Sequence, residues 1–386
     1  MKPIQYILAA IAIATLPALG HAALTVTAVN PLPFARTSQT IELSVKQLAP
    51  LGENDLTKIH VRDAAGKELL CQAVDTDFDA LHKPDLVIFQ SDFAAGESRK
   101  FTVIAGAKQE HTPDQFKAYG RFVRERFDDF AWENDRIAHR TYGKALESWQ
   151  GEPLTSSAID IWSKRTSHLV IDKWYMADNY HADTGEGADF YSAGATCGNG
   201  GDGIWAVFKL WQPKNFVNSR VLANGPIRIL FELDYEAFDV IGVKVSEVRR
   251  ISLDAGQNLD HYQIFYKPAS PAELTAAIGL KKVAGAQNDF SAEHGWLSTS
   301  EKVEKNQGMQ GVALIFDPKK FAGQAEDAKN SLLLLKTAPG NSVSYWAGFY
   351  WDKSGQFADD AAWKKYVDEF AQGTTAPIQV TVALDQ

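Results

Sequence analysis

Three segments concentrate side chains capable of chemistry. The first is Trp132-Glu133-Asn134-Asp135-Arg136-Ile137-Ala138-His139-Arg140-Thr141-Tyr142, and the second is Asp160-Ile161-Trp162-Ser163-Lys164-Arg165. The third runs from Val170-Ile171-Asp172-Lys173-Trp174-Tyr175 through Tyr180-His181 to Gly185-Glu186-Gly187-Ala188-Asp189-Phe190-Tyr191. Trp132, Trp149, Trp162, Trp174, Trp205 and Trp211, six of the ten tryptophans, fall in this part of the chain. Aromatic rings present large flat surfaces on which the apolar face of a sugar stacks, and the Arg fork matches a carboxylate. The combination suits an acidic sugar, with Trp132 and Trp174 as stacking platforms and Asn134, Arg136, Arg140 and Lys173 as further substrate-binding groups. His181 suits a general base near neutral pH, and Tyr175, or else Tyr180 or Tyr191, an acid. β-Elimination at a uronate needs such a base, such an acid and a cation on the sugar carboxylate. Glu186 is the third catalytic candidate, because hydrolysis needs two carboxylates roughly 5–9.5 Å apart, here Glu133 or Asp135 with Glu186.

Each group also has a structural reading. Glu133, Asp135, Arg136 and Arg140 would make a buried ion-pair network, and His181 a hydrogen-bonded loop histidine. As one continuous strand, the first segment puts Glu133, Asp135, Ile137, His139 and Thr141 on one face. Trp132, Asn134, Arg136, Ala138, Arg140 and Tyr142 then share the other, and neither is a simple apolar face. Asp183, Glu186 and Asp189 recur every third residue among glycines that let a backbone turn tightly toward a ligand, as a Ca²⁺ loop would. The EF-hand pattern, His-x-x-x-His and Cys-x-x-Cys are all missing, so neither a metal nor another cofactor is expected. Gly198-Asn199-Gly200-Gly201-Asp202-Gly203 lacks the Lys-Ser/Thr of a phosphate loop, and no Gly-x-Ser-x-Gly elbow occurs. Tyr345-Trp346-Ala347-Gly348-Phe349-Tyr350-Trp351 offers a further aromatic wall, half of which must face a core.

The elements that position these groups are strands. Residues 1–22 read as a cleavable signal peptide, with Lys2, an apolar run from Tyr6 to Ala14, and small residues at Gly20 and Ala22. The predicted location is periplasmic or secreted, with no membrane span after cleavage. Short alternating runs between residues 24 and 107, such as Thr25–Val29, Thr40–Val45 and Lys100–Ile104, predict a small immunoglobulin-like sandwich. A charged linker occupies 108–114. From 115 to 386 longer β-patterned runs predict a large all-β domain carrying the site, with one helix over Ala361–Ala371 capped by Asp359 or Asp360. The net charge of −9 argues against nucleic acid, whose affinity rests on Lys and Arg. Cys71 and Cys197 would pair only in an oxidising compartment, and two separate buried thiols are the alternative.

Val29-Asn30-Pro31-Leu32 with Arg36, Ala131-Trp132-Glu133-Asn134-Asp135-Arg136, Asp160-Ile161-Trp162, Val170-Ile171-Asp172-Lys173-Trp174-Tyr175 and Tyr180-His181 through Gly185-Glu186-Gly187 resemble a family of secreted bacterial proteins known as domain of unknown function 4861. The resemblance covers nearly the whole chain. It implies a setting in polysaccharide degradation, with pectin-type and other uronate-containing glycans as partners. It also implies a galactose-mutarotase-like β-supersandwich for the large domain, and it carries over no catalytic residues. The expectation is a carbohydrate-active protein, a lyase before a glycoside hydrolase, with a sugar epimerase or mutarotase and a non-catalytic glycan-binding accessory protein as alternatives.

Overall fold

The computed structural model describes residues 22–77, 83–177 and 180–385. The segment expected to be a signal peptide, except for its last residue, lies outside the described residues.

The alternating runs near the N-terminus fold into a two-sheet sandwich. Arg36–Ser44, Leu86–Phe93 and Cys71–Val74 form one sheet; Ala23–Val29, Ser98–Ala105, Ile59–Arg62 and Glu68–Leu69 lie in the other. Every second residue of Ala23–Val29 is buried, so Leu24, Val26 and Ala28 enter a core shared with Ile41, Leu43, Phe89 and Phe101. This sandwich is completed from the far end of the chain. Gln379–Leu384 pairs antiparallel with Ala23–Val29, with Val382 opposite Val26. The large unit expected over 115–386 therefore lacks its final strand, because Ile378, Val380 and Val382 find apolar cover only in the small core.

Three sheets build the large unit, and the chain is all-β with several antiparallel sheets. Phe216–Asn224, Arg228–Val240, Val243–Asp254, Leu259–Pro268, Ser342–Trp351, Met309–Phe316, Trp296–Lys302 and Gln287–Ser291 make an eight-stranded sheet in that order. One five-stranded sheet, centred on Asn199–Ala206, Thr275–Lys281 and Asn330–Lys336, packs on it. A second consists of Gly187–Ala188, Asp160–Lys164, Ala138–Thr141, Asp129–Asn134 and Ala118–Val123. One core joins all three, with Ile204, Ile278, Leu314, Phe130, Trp132 and Phe231 among its members. Ile229, Phe231 and Leu233 point into it, so alternation turns Arg228, Leu230 and Glu232 to the opposite face of the eight-stranded sheet.

That opposite face is covered in part by the predicted helix, which runs over Asp360–Thr375. The Asp359 side chain caps it, accepting from the Ala362 N–H at 2.8 Å, and Trp363, Val367 and Ala371 are buried against Ala313, Ile315 and Tyr350. A second, short helix, Ile171–Met176, was not evident from periodicity. The cysteines are both free: Cys71 sits in the small core and Cys197 beneath the large one. Among the described residues no helix is long and apolar enough to cross a membrane.

Polar side chains join the two units. Gln72 of the small sandwich donates to the Arg228 carbonyl at 2.9 Å and accepts from the N–H groups of Ile227 (2.8 Å) and Arg228 (2.7 Å), imitating a neighbouring strand. Arg228 in turn reaches Glu42 at 2.7 Å, and Gln90 donates to the Ala255 carbonyl at 2.9 Å. A buried N–H that loses its acceptor costs about 1–3 kcal/mol. Gln72→Ala should accordingly lower stability by roughly that amount, read as a lower urea midpoint, whereas Glu42→Ala, removing an exposed partner, should change it by less than about 1 kcal/mol.

Candidate functional site

The first polar segment is a hairpin rather than one strand. Asn134 makes the turn: its Oδ1 accepts from the N–H groups of Arg136 (2.8 Å) and Ile137 (2.9 Å), and its Nδ2 donates to the carbonyls of Asp254 (2.6 Å) and Gln257 (2.8 Å). Reversal at Asp135 and Arg136 changes the parity expected for a continuous strand. Trp132 stands opposite His139 on the core side, their rings stacked at 5.3 Å, while Asp129, Glu133 and Arg140 share the other side. Trp132 is fully buried and donates to Asp260 at 2.7 Å, so it cannot meet a sugar. Asn134 is likewise a buried turn former, not a ligand for substrate.

Arg140 organises the outer side. Facing Asp160 across the sheet, it donates from Nε to Asp160 and from Nη2 to Asp189, both at 2.8 Å, with Asp129 at 3.7 Å. Its Nη1 donates to the Tyr180 hydroxyl at 3.2 Å, and the rings of Tyr142, Trp162 and Tyr180 surround the guanidinium at 5.6–5.7 Å. A guanidinium holding two carboxylates and facing a third has nothing left for a substrate carboxylate. One positive charge also cannot balance three negative ones in a dry site. The strain falls on Asp129, the most distant: burial pushes its pKa up to about 7, and Oδ1 has no hydrogen-bond partner among the described residues. Burial, with Asp160 and Asp129 nearby, also pushes Asp189 upward against the pull of Arg140.

A cavity of about 330 Å³ opens beside this cluster, lined among others by Arg126, Arg140, Asp160, His181, Asp189 and Tyr191. His181 is half-exposed at its rim, with Nδ1 3.2 Å from the Asp189 carbonyl and 3.4 Å from its carboxylate. Those contacts select the tautomer protonated on Nδ1 and leave Nε2 free to accept a proton. The Tyr191 hydroxyl is buried without a partner among the described residues, and burial raises its pKa, so it stays protonated. Arg126 donates to the Tyr180 hydroxyl at 2.8 Å and lies over Trp149, and among the described residues its one ion pair is with exposed Glu152 at 3.6 Å.

The other candidates lie elsewhere. Tyr175 does not line the cavity; it approaches Asp129 at 3.3 Å behind Arg140, in contact with Trp162. Trp174 is buried against Trp162. Lys173 and Glu186 pair with each other at 2.7 Å on the surface, outside the cavity lining. Arg136 donates to Asn258 and lies over Phe357 at 5.6 Å. Glu133 is bound by buried Lys164 at 2.7 Å, and Asp135 accepts from the Gly256 N–H at 2.7 Å, so neither makes a hydrolytic pair with Glu186. The spaced acids Asp183, Glu186 and Asp189 face three separate cations, Arg165, Lys173 and Arg140, rather than one ion. Among the described residues no His, Cys, Asp and Glu group is arranged to hold a metal. Gly187 and Gly198 serve close backbone packing: both have positive φ, and a Cβ at either would lie 2.0 Å from a carbonyl oxygen of the neighbouring segment. Of the residues singled out from sequence, His181 and Arg140 reach the cavity, together with Tyr191 from the alternatives and Asp189 from the spaced acids. Arg126 was missed, because Arg124-Glu125-Arg126 lies outside the aromatic segments.

The raised Asp129 makes stability depend on pH. A carboxyl with pKa about 7 when folded and about 3.9 when unfolded binds its proton more tightly in the folded state. Its contribution is complete below about pH 4 and is lost as pH rises through 7. Melting temperature measured from pH 4 to 8 should therefore carry a falling component that Asp129→Asn removes, the variant being relatively more stable at pH 8.

Comparison with known proteins places the chain. The sequence profile described as Domain of unknown function (DUF4861) matches residues 28–380. A protein of Formosa agariphila called uncharacterized protein P7 is 29% identical over 371 residues, covering 92% of this chain and 93% of that one. Among solved structures, an α-mannosidase from Enterococcus faecalis V583 has a TM-score of 0.51 at 10% identity, over 94% of this chain and 46% of its own. A glycosyl hydrolase family 38 protein from Enterococcus faecalis gives 0.49 at 9% identity, over 95% and 48%. The chain spans about half the length of those two solved proteins, and at such identity the likeness concerns fold. With the profile running from the first strand to the last, the chain belongs to the DUF4861 family.

Proposed function

We propose that this is an exported carbohydrate-active protein that acts on uronate-containing oligosaccharides by β-elimination in the Arg126–His181–Tyr191 cavity. The observation that carries this reading is the convergence on one cavity of a histidine oriented by a backbone carbonyl, a tyrosine held protonated, and an arginine whose one ion pair among the described residues is with an exposed glutamate. These are the three groups the reaction needs. His181 Nε2 takes the C5 proton, and the electron pair left behind forms the C4–C5 double bond. The oxygen on C4 leaves with the proton of Tyr191, while Arg126 neutralises the uronate carboxylate as charge builds on it. The Asp189 backbone carbonyl holds the His181 ring in place.

Hydrolysis fits the same cavity less well. Asp160 and Asp189 both line it, but both are hydrogen-bonded to one guanidinium, which holds them beside each other instead of on opposite sides of a glycosidic bond. The fold likeness to an α-mannosidase supports a sugar-handling role without choosing the reaction.

Incubation with pectic and other uronate oligosaccharides should generate the ultraviolet absorbance of an unsaturated uronate. His181→Ala and Tyr191→Phe should each slow its appearance by roughly 10²–10⁴-fold without lowering the melting temperature. New reducing ends without that absorbance would replace elimination by hydrolysis. A shift in melting temperature with neither product would leave only glycan binding.

A further inference from the structure

A larger cavity, of about 610 Å³, lies on the opposite face of the eight-stranded sheet, between it, the small sandwich and the end of helix Asp360–Thr375. Small-molecule sites usually measure about 300–1,000 Å³ and form preferentially where two units meet. Its floor is made of alternate residues from four adjacent strands: Leu230, Ser252, His261 with Gln263, and Trp346. Trp346 is half-buried and stacked on His261, with centroids 4.6 Å apart and planes at 20°. Burial and the Arg228 charge pull the His261 pKa down to about 4, so the ring is neutral and meets the Ser344 hydroxyl at 2.7 Å. Gln39 and Gln263 bring amides that both donate and accept, as neighbouring sugar hydroxyls require.

The cations in this cleft differ in what opposes them. Arg228 is closed by Asp254 at 2.6 and 2.8 Å and by Glu42, and Arg250 is closed by Glu232 at 2.7 and 2.6 Å. Arg36 reaches in from the small sandwich and donates only to the carbonyls of Ala376 (3.0 Å) and Gly373 (3.4 Å), at the open end of the helix. Among the described residues no carboxylate pairs with it, and burial lowers its pKa with no acid to oppose the shift. Two of its five N–H groups are used. Gly373 makes the position possible, since a Cβ there would lie 2.8 Å from Arg36 Nη2.

We propose that this cleft is a second carbohydrate site, binding an oligosaccharide that bears an anionic substituent. Arg36 pairs with the anion, Trp346 stacks on the sugar ring beside it, and Gln39 and Gln263 take hydroxyls. The site shares no lining residue with the Arg126–His181–Tyr191 cavity, so it holds whether or not that cavity is catalytic.

The full chain is titrated at low salt with trigalacturonate, its methyl ester and a sulfated neutral trisaccharide, followed by calorimetry and tryptophan fluorescence. Arg36→Gln should weaken trigalacturonate about tenfold or more and leave the methyl ester unchanged. Gly373→Ala should do the same by displacing the guanidinium, and Trp346→Ala should weaken both ligands. A sulfated sugar bound more tightly than the carboxylated one, with the same Arg36 dependence, keeps the site and assigns the anion to sulfate. Binding that survives His181→Ala and Tyr191→Phe but falls in Arg36→Gln assigns it to the cleft even if no elimination is seen. Equal affinity of wild type and Arg36→Gln for every probe overturns the proposal, as does binding lost only in His181→Ala. Gln263→Ala, whose amide has no hydrogen bond to a described residue, guards against unfolding: reduced affinity at an unchanged melting temperature supports the site, and unchanged affinity refutes the assigned geometry.

Discussion

Backbone pairing between the first strand and the last ties this molecule together. Ala23–Val29 lies between Ser98–Ala105 and Gln379–Leu384, so the small sandwich is complete only once the rest of the chain has been laid down. The cleft depends on that return. Helix Asp360–Thr375 leads directly to the last strand, and its position over the eight-stranded sheet is held at one end by buried Trp363 and at the other by the strand pairing. Gln72, Gln90 and Arg228 then fix how the sandwich sits on the sheet edge. A hinge between the two units would have to break several of these bonds together, which suits a preformed cleft more than a closing one.

Buried charge sets the interior geometry of the large unit. Arg140 with Asp160 and Asp189, Lys164 with Glu133, His139 with Asp260, and Arg249 with Asp202 and Glu247 are all inside. Such pairs contribute little net stability, because desolvation offsets most of their attraction, but a wrongly matched member is costly. They therefore select one register for each strand. The Arg140 cluster is the least balanced, and the imbalance appears where the polar cavity opens. Asp189 takes part in both: one oxygen binds Arg140 and its backbone carbonyl meets His181. The cluster that holds the sheet also orients the proposed base.

The strands and the long helix were legible because their signal is local. A buried residue every second position in Ala23–Val29, and Trp363 and Val367 four apart, follow from geometry that a short window contains. The site was legible only in part. A single Asn134 side chain turns one apparent strand into a hairpin and puts Trp132 and Arg140 on opposite faces, which no alternation count reveals. Tryptophan density reflects packing, since Trp132, Trp162 and Trp174 pack inward around buried charge beside the candidate cavity. Arg36, His261 and Trp346 come from segments more than 80 residues apart in sequence, and their meeting is a property of the sheet order. The partner of the last strand was hidden for the same reason, because pairing between Leu24 and Leu384 leaves no local trace.

For an acidic chain to bind an acidic ligand, some of its arginines must be left open locally. Arg136, Arg140, Arg228, Arg249 and Arg250 are each met by a carboxylate or a structural amide, so their positive ends are closed to an incoming anion. Among the described residues Arg36 and Arg126 are the exceptions near a cavity, one with no acid partner and the other with a distant, exposed one. In the proposed reading two concave sites are each provided with a single poorly compensated guanidinium, inside a protein of net charge −9, whereas polyanions draw their affinity from long basic tracks. Such sites would recognise one anionic group at a time, fixed by the amides or the proposed proton-transfer groups around it. That is the pattern an acidic sugar requires, where charge is spaced by whole rings and most of the surface is hydroxyl and apolar face.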